Sequence, residues 1–408
     1  MHCLWFVAAL MMGALLTPRI EAQTVAARDK VILVGGKVLQ GRILLVSNEH
    51  VVLREGSVDR TFPRKVVQSI ESVAVRHREL LAAWQNVNVA NADDLLALAA
   101  RADLDGLPYE ARLLRFYALL ARPADPAIHK ALGNRAQGSK FQVEIGGHWV
   151  LFEAADALGV DFSNAWQLRS EHFAIRCAAG LRTGLDTLME LEGFYWLFHE
   201  LFGSELQLLE LTEPLAVRLY RQRDQMPNLS DNVSAYFSVS EIAMYTCVEN
   251  GRPHALFHEG THALLYCFFV RAAKSRGVLP AWLDEGWAEY MDARIQTSLP
   301  DKPKLRARSI NSRHSAQLVT AGRDHSLYSV HALLNMKTGD FMASTKQAYK
   351  YAQSWALFCY LFENKDPEIR GLFIDYLHKA ASGQGQASTF RKLFVRFEKL
   401  LETQPWKV

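Results

Sequence analysis

The stretch Phe257-His258-Glu259-Gly260-Thr261-His262 places two imidazoles four residues apart with a carboxylate beside the first. On an α-helix residues four apart lie on one face, one above the other, so His258 and His262 can share a metal ion. Glu259 is turned roughly 100° from His258 and can serve as a general base. Neutral imidazole nitrogen suits zinc. The plainer reading is two ordinary helix-surface histidines beside a solvated glutamate, and only a helical context gives the motif more weight. That context is present: "PHALFHEGTHALLYCFFVRAAK" keeps a helical period, and Pro253 suits a first turn because its missing N–H would have no partner there.

Zinc that hydrolyses needs three protein ligands and one open position for water. Two histidines therefore call for a third donor from a nearby helix. "PAWLDEGWAEYMDAR" supplies one: Leu279-Pro280 marks a break, Trp282 onward reads as a second helix, and a short antiparallel connection brings Glu285 to the pair. Glu289 lies one turn after Glu285 on the same face. It is placed to accept the other ring N–H of a ligand histidine and so fix its tautomer. The cofactor expected is one Zn2+ per chain.

These residues resemble the glutamate zincins, metallopeptidases that carry H-E-x-x-H and a downstream glutamate on a second helix. "HEGTHAL" followed by "P-x-W-L-x-E-G-W-A-E-Y" is similar to the branch containing clostridial collagenases and bacterial secreted domains of unknown function. The resemblance covers about Trp166 to Tyr360. It implies that His258, His262 and Glu285 are the zinc ligands and Glu259 the general base. Zincins also use a tyrosine or histidine from a later helix to stabilise the oxyanion. In "KQAYKYAQSWALFCYLFE" the candidates are Tyr349 and Tyr351, and family members carry a tyrosine before "Q-S-W-A-L", which favours Tyr351. Packing is the plain alternative for either ring.

The function expected is zinc-dependent hydrolysis of peptide bonds in a peptide or protein substrate. Two other functions compete: a zinc-binding scaffold of the same fold without turnover, and a zinc hydrolase of a non-peptide amide in the cell wall. Glu259 is needed for catalysis and not for metal binding, so its presence favours turnover.

The elements that must hold these residues predict an α+β protein. Residues 1–22 read as a secretory signal, one apolar run ending at a small-residue site near Ala22, too short to span a membrane. That places the chain outside the cell, in the periplasm or in the envelope. Residues 27–75 show short β-branched runs with turns at Gly35-Gly36, Ser47-Asn48 and Glu55-Gly56, a small β module that resembles SH3-like or Sm-like barrels. Residues 77–137 carry apolar residues at helical spacing, punctuated by Pro108 and Pro123, and predict a module of two or three helices. Residues 138–164 read as a hairpin about Gly146-Gly147 leading into a short helix. From 165 to 408 strands come first and helices after, the order of an α+β, zincin-like domain. "SAYFSVSEIAMYTCV" reads as a strand whose edge can receive an extended peptide. The stretch from about Asn311 to Ser344 shows no clear period and is expected to be irregular.

A chain of 408 residues, 50% hydrophobic and 22% charged, buries large cores. Its net charge of +3, with basic residues dispersed, gives no reason to expect a nucleic-acid partner. Cys177, Cys247, Cys267 and Cys359 have wide, motif-free spacing and read as small core hydrophobes. His254 begins the motif helix, and His172, His314, His325 and His331 lack paired spacing, so none receives a role. Asn228 and Asn232 head N-x-Ser sequons.

Overall fold

The computed structural model describes residues 29–227, 233–253, 255–271, 279–296, 304–305, 311–343 and 346–402. Residues 1–22, expected to be a secretory signal, the two sequon asparagines and His254 lie outside them. The amino-terminal strands β1 (Asp29–Leu33), β2 (Val38–Val46), β3 (His50–Glu55), β4 (Val58–Pro63) and β5 (Val67–Glu71) form one antiparallel sheet in the order β4-β3-β2-β1-β5. Its apolar side is a small core of its own, built on Val31, Leu39, Ile43, Val51, Leu53 and Val67.

Four helices follow: α1 (Val73–Gln85), α2 (Ala92–Leu104), α3 (Pro108–Ala121) and α4 (Pro126–Ala131). The side chains of Ser72, Asn91 and Asp125 cap α1, α2 and α4, and prolines open α3 and α4 where a missing N–H costs nothing. Strands β6 (Arg135–Gln137), β7 (Lys140–Ile145) and β8 (His148–Leu151) make a meander whose second turn is Gly146-Gly147, both with positive φ. Helix α5 (Phe152–Leu158) leads out of it.

The largest sheet orders its strands β12-β13-β11-β10-β9: β9 (Trp166–Arg169), β10 (Phe173–Cys177), β11 (Leu215–Tyr220), β12 (Ala235–Ser238) and β13 (Ala243–Glu249). β10, β11 and β13 run parallel, while β9 and β12 are antiparallel strands at the two ends. Helix α6 (Leu181–Phe198) crosses over between β10 and β11. The run expected as one strand from Ser234 is instead the hairpin β12–β13, because Ile242 takes φ 50° and turns the chain.

Pro253 does not open the motif helix. It pairs with Val248 in the two-residue strand β14 (Arg252–Pro253), and α7 (Leu256–Leu265) starts only after Ala255, whose φ is 47°. After α8 (Ala281–Arg294) the two-residue strands Ile295–Gln296 and Lys304–Leu305 pair antiparallel, and the stretch expected to be irregular holds α9 (Ser312–Arg323), α10 (Val330–Leu334) and α11 (Thr338–Met342). These helices are too short, and too separated by breaks such as His325 at φ 48°, for a sustained period to show. Four more follow among the described residues: α12 (Gln347–Phe362), α13 (Pro367–Ala381), α14 (Ala387–Phe394) and α15 (Glu398–Leu401).

One hydrophobic core runs without interruption from Val73 in α1 to Leu401, so α1–α4 share their interior with the segment that carries the motif. Trp282, Trp287 and Trp355 are among its largest fully buried side chains, each worth at least about 1.5–3 kcal/mol by burial alone. They pack α8 and α12 about the site. Cys177, Cys247 and Cys267 are buried, and none of the four cysteines is bridged to another. No described helix is long and apolar enough to cross a membrane.

Candidate metal centre

Helix α7 presents His258 and His262, and α8 crosses it to present Glu285 and Glu289. What sets the distance between these helices is visible in the two motif glycines. A Cβ on Gly260 would stand 2.9 Å from Phe194 Cε1 of α6, and one on Gly286 would stand 2.6 Å from the Ser354 carbonyl oxygen of α12. Each glycine therefore lets a helix seat directly against its neighbour, and each adjoins a residue of the site.

The resulting geometry is specific. His258 Nε2 and His262 Nε2 are 3.2 Å apart, His258 Nε2 is 3.3 Å from Glu285 Oε2, and His262 Nε2 is 3.6 Å from the same oxygen. Bonds of roughly 2.0–2.1 Å at tetrahedral angles hold neighbouring donor atoms about 3.3–3.4 Å apart, so the three atoms outline one face of a zinc-sized tetrahedron. Glu285 is 7% exposed, and its Oε2, the atom aimed at both rings, has no hydrogen bond. A buried carboxylate oxygen left this way is costly unless a cation meets it.

The back of each ring faces a carboxylate. His262 Nδ1–H donates to Asp284 Oδ1 at 3.0 Å, and His258 Nδ1 is 3.5 Å from Glu289 Oε1. In a neutral ring the first arrangement puts the hydrogen on Nδ1, the second favours it there, and both turn Nε2 inward. Glu289 Oε2 is also 2.6 Å from His314 Nε2 of α9. Asp284 and His314 have no part in the motif spacing. The signal that could have found Asp284 is the doubled carboxylate in "WLDEGW", where a residue one step from a ligand faces the adjacent histidine.

Charge at the centre is balanced in favour of a cation. Burial by itself lowers the His258 imidazole, but Glu285 and Glu259 outweigh it and hold that group up at about 8. Burial acts the same way on His262, where Asp284 and Glu285 raise it well above the usual imidazole range. Burial raises Glu285, yet the two rings hold its carboxyl far below its ordinary value; His314 and His258 do the same to Glu289. Glu259, half-buried on α7, sits one residue from His258 and acts on it electrostatically.

Of the two tyrosines, Tyr351 is the one at the site. Its ring lies 6.4 Å from the His258 ring at 20°, its hydroxyl reaches Met342 Sδ at 3.6 Å, and burial with the nearby Glu285 pushes its phenol far up, so it stays a neutral donor. The buried Lys350 fixes this turn by donating to the carbonyls of Asp340, Phe341 and Ala343 at 2.6–3.1 Å. Tyr349 makes no comparable approach to His258 among the described contacts.

Among the described residues a second group, His77, His172 and Glu192, also brings three donor atoms within 4.8 Å of one another. Its chemistry is different. Trp196 Nε1–H donates to His77 Nδ1 at 3.2 Å, and an indole N–H can only donate. The neutral His77 ring therefore carries its hydrogen on Nε2, which faces Glu110 Oε1 at 3.4 Å and Glu192 Oε2 at 3.9 Å and offers no lone pair to a metal. His172 is tied to Glu192 through both its backbone N–H and Nδ1, each at 2.7 Å. Burial foremost, then Glu192 and Glu171, push the Glu110 carboxyl up to about 8. This is a hydrogen-bonded polar joint between α1, α3, the β9–β10 turn and α6.

Residues 254–384 match a family described as Protein of unknown function (DUF1570). The matched stretch contains His258, Glu259, His262, Glu285, Glu289, His314 and Tyr351. No curated protein matches the chain.

Proposed function

We propose that the chain is a secreted zinc metallopeptidase of the zincin type, acting on peptide or protein substrates. The observation that carries this reading is the triangle of His258 Nε2, His262 Nε2 and Glu285 Oε2, with edges of 3.2–3.6 Å and a carboxylate behind each ring. His258, His262 and Glu285 would hold a zinc ion, which would supply an acidified water and a Lewis acid for the scissile carbonyl. Glu259 accepts the proton of the attacking water and returns it to the leaving amine. Tyr351, a neutral phenol beside His258, donates to the oxygen on which negative charge develops. Among the described residues strand β12 pairs with β13 alone and packs near α7, so its other edge can offer backbone groups to an extended peptide. The α+β sheet with its antiparallel edge strand packed by α7, which α8 crosses in turn, supports the zincin-like arrangement. The five amino-terminal strands fit an SH3-like module that presents substrate or targets the enzyme.

The test is a peptide-library digestion by wild type and Glu259→Gln, with metal content measured in both. The expected result is about one zinc per chain in each, hydrolysis by wild type that chelator abolishes, and none by Glu259→Gln. Undiminished hydrolysis by the variant would overturn the catalytic role. Zinc binding without cleavage in wild type would instead point to a scaffold or to an amide other than the peptide bond.

A further inference from the structure

His314 lies on α9, outside the motif helices, yet it is 4% exposed and reaches toward the metal centre. Its backbone N–H donates to the capping Asn311 side chain at 3.1 Å, which places it in the first turn. Nδ1 is 2.8 Å from Gln317 Oε1, and the ring lies 5.6 Å from that of Trp355 on α12. The imidazole is thus fixed from three sides. Its remaining atom, Nε2, meets Glu289 Oε2 at 2.6 Å, and the other oxygen of that carboxylate faces His258 Nδ1 at 3.5 Å.

A glutamate side chain has three rotatable bonds and several staggered orientations, and the one Glu289 adopts points Oε1 at the back of the His258 ring. Glu289 is on the same face of α8 as Glu285, so a freed carboxylate could swing toward the open side of the centre. The short bond from His314 selects the other orientation.

We propose that His314 is a positioning residue of the metal centre, acting through Glu289 to hold the His258 ring with Nε2 turned toward the ion. This rests on the metal-centre reading above. It extends the chain of support from the ligand to an outer carboxylate and on to a third element, α9. Outer partners of ligand histidines typically contribute about 10–100-fold to metal affinity.

Zinc affinity is measured by chelator competition in wild type, His314→Leu, Glu289→Ala and the double variant, with the melting temperature of each zinc-free protein recorded alongside. The expected result is a loss of about 10-fold or more for His314→Leu when Glu289 is present, and less than about 2-fold when Glu289 is already alanine. A packing role would lower the melting temperature but weaken zinc equally in both backgrounds, and that outcome overturns the proposal. Unchanged affinity in His314→Leu overturns it as well, while leaving the metal centre standing. A wild type that takes up no zinc overturns the metal centre and this assignment with it. If His314→Leu does not fold, His314→Asn, whose shorter amide falls short of Glu289, is read in the same way.

Discussion

Asp284 Oδ1 accepts a hydrogen bond from His262 Nδ1 at 3.0 Å, and the next residue in the chain, Glu285, turns Oε2 toward the other nitrogen of the same ring. Two consecutive residues of α8 therefore grip one imidazole from both ends. One fixes its tautomer while the other closes on the candidate metal position. Replacing Asp284 by alanine is expected to weaken zinc binding about 10–100-fold, read by chelator competition. Equal affinity in the variant would show that the ring is held by packing alone.

Gly286 is where α8 touches the backbone of α12. The variant Gly286→Ala introduces a methyl 2.6 Å from the Ser354 carbonyl oxygen, and neither backbone can yield without moving a helix. The expected cost is about 1–3 kcal/mol, seen as a lower urea midpoint. Zinc affinity should fall too, because Glu285 travels with α8. Alanine at Gly339, which has open space around it, is the control expected to do neither.

Tyr351 has its hydroxyl as the only polar atom of the side chain, so Tyr351→Phe removes the donor and keeps the ring over His258. The expected loss is roughly 100–1,000-fold in kcat, with KM and zinc content little changed. A change confined to KM would place the tyrosine in substrate binding.

Stability should decline toward alkaline pH. The Glu110 carboxyl rises from an ordinary 4.5 to about 8 in the folded chain, so folding takes up a proton between those values. Its contribution is complete below about pH 4.5 and is lost as pH rises through about 8. Buried Glu210, also pushed up to about 8, adds to the same slope. Urea midpoints at pH 5 and pH 8 should differ less in Glu110→Gln than in wild type. An unchanged difference would mean that Glu110 stays ionised.

Much of the candidate site's geometry was legible because helical spacing is rigid: residues 258, 259 and 262 fix three directions on one helix. Glu285 could be named from type and position, since a ligand set short by one needs a donor on the next helix. Asp284 offered only the weaker signal of a second carboxylate beside Glu285, whose direction is read once the crossing of α7 and α8 is known, and His314 reaches the site from a helix with no sustained period. The β12–β13 hairpin was misread as one strand because Ile242, a β-branched residue, gave no turn signal despite its positive φ. Pro253 misled for a related reason. Its preference for a first helical turn was overridden by pairing with Val248.

The polar joint around His77 has a practical meaning for how the protein can be divided. Glu192 and His172 belong to the segment that carries the centre, while His77 and Glu110 come from the helices before it. A truncated chain beginning at residue 165 would shed two of these four partners together with the apolar faces of α1 and α3, stranding a carboxylate and a ring in a greasy wound. An independently stable fragment should therefore keep α1. The five amino-terminal strands have an interior of their own, but Asp29 accepts from the Val73 N–H at 2.5 Å and Arg42 donates to the Leu211 carbonyl at 2.6 Å, so cutting them away unpairs groups at this seam as well.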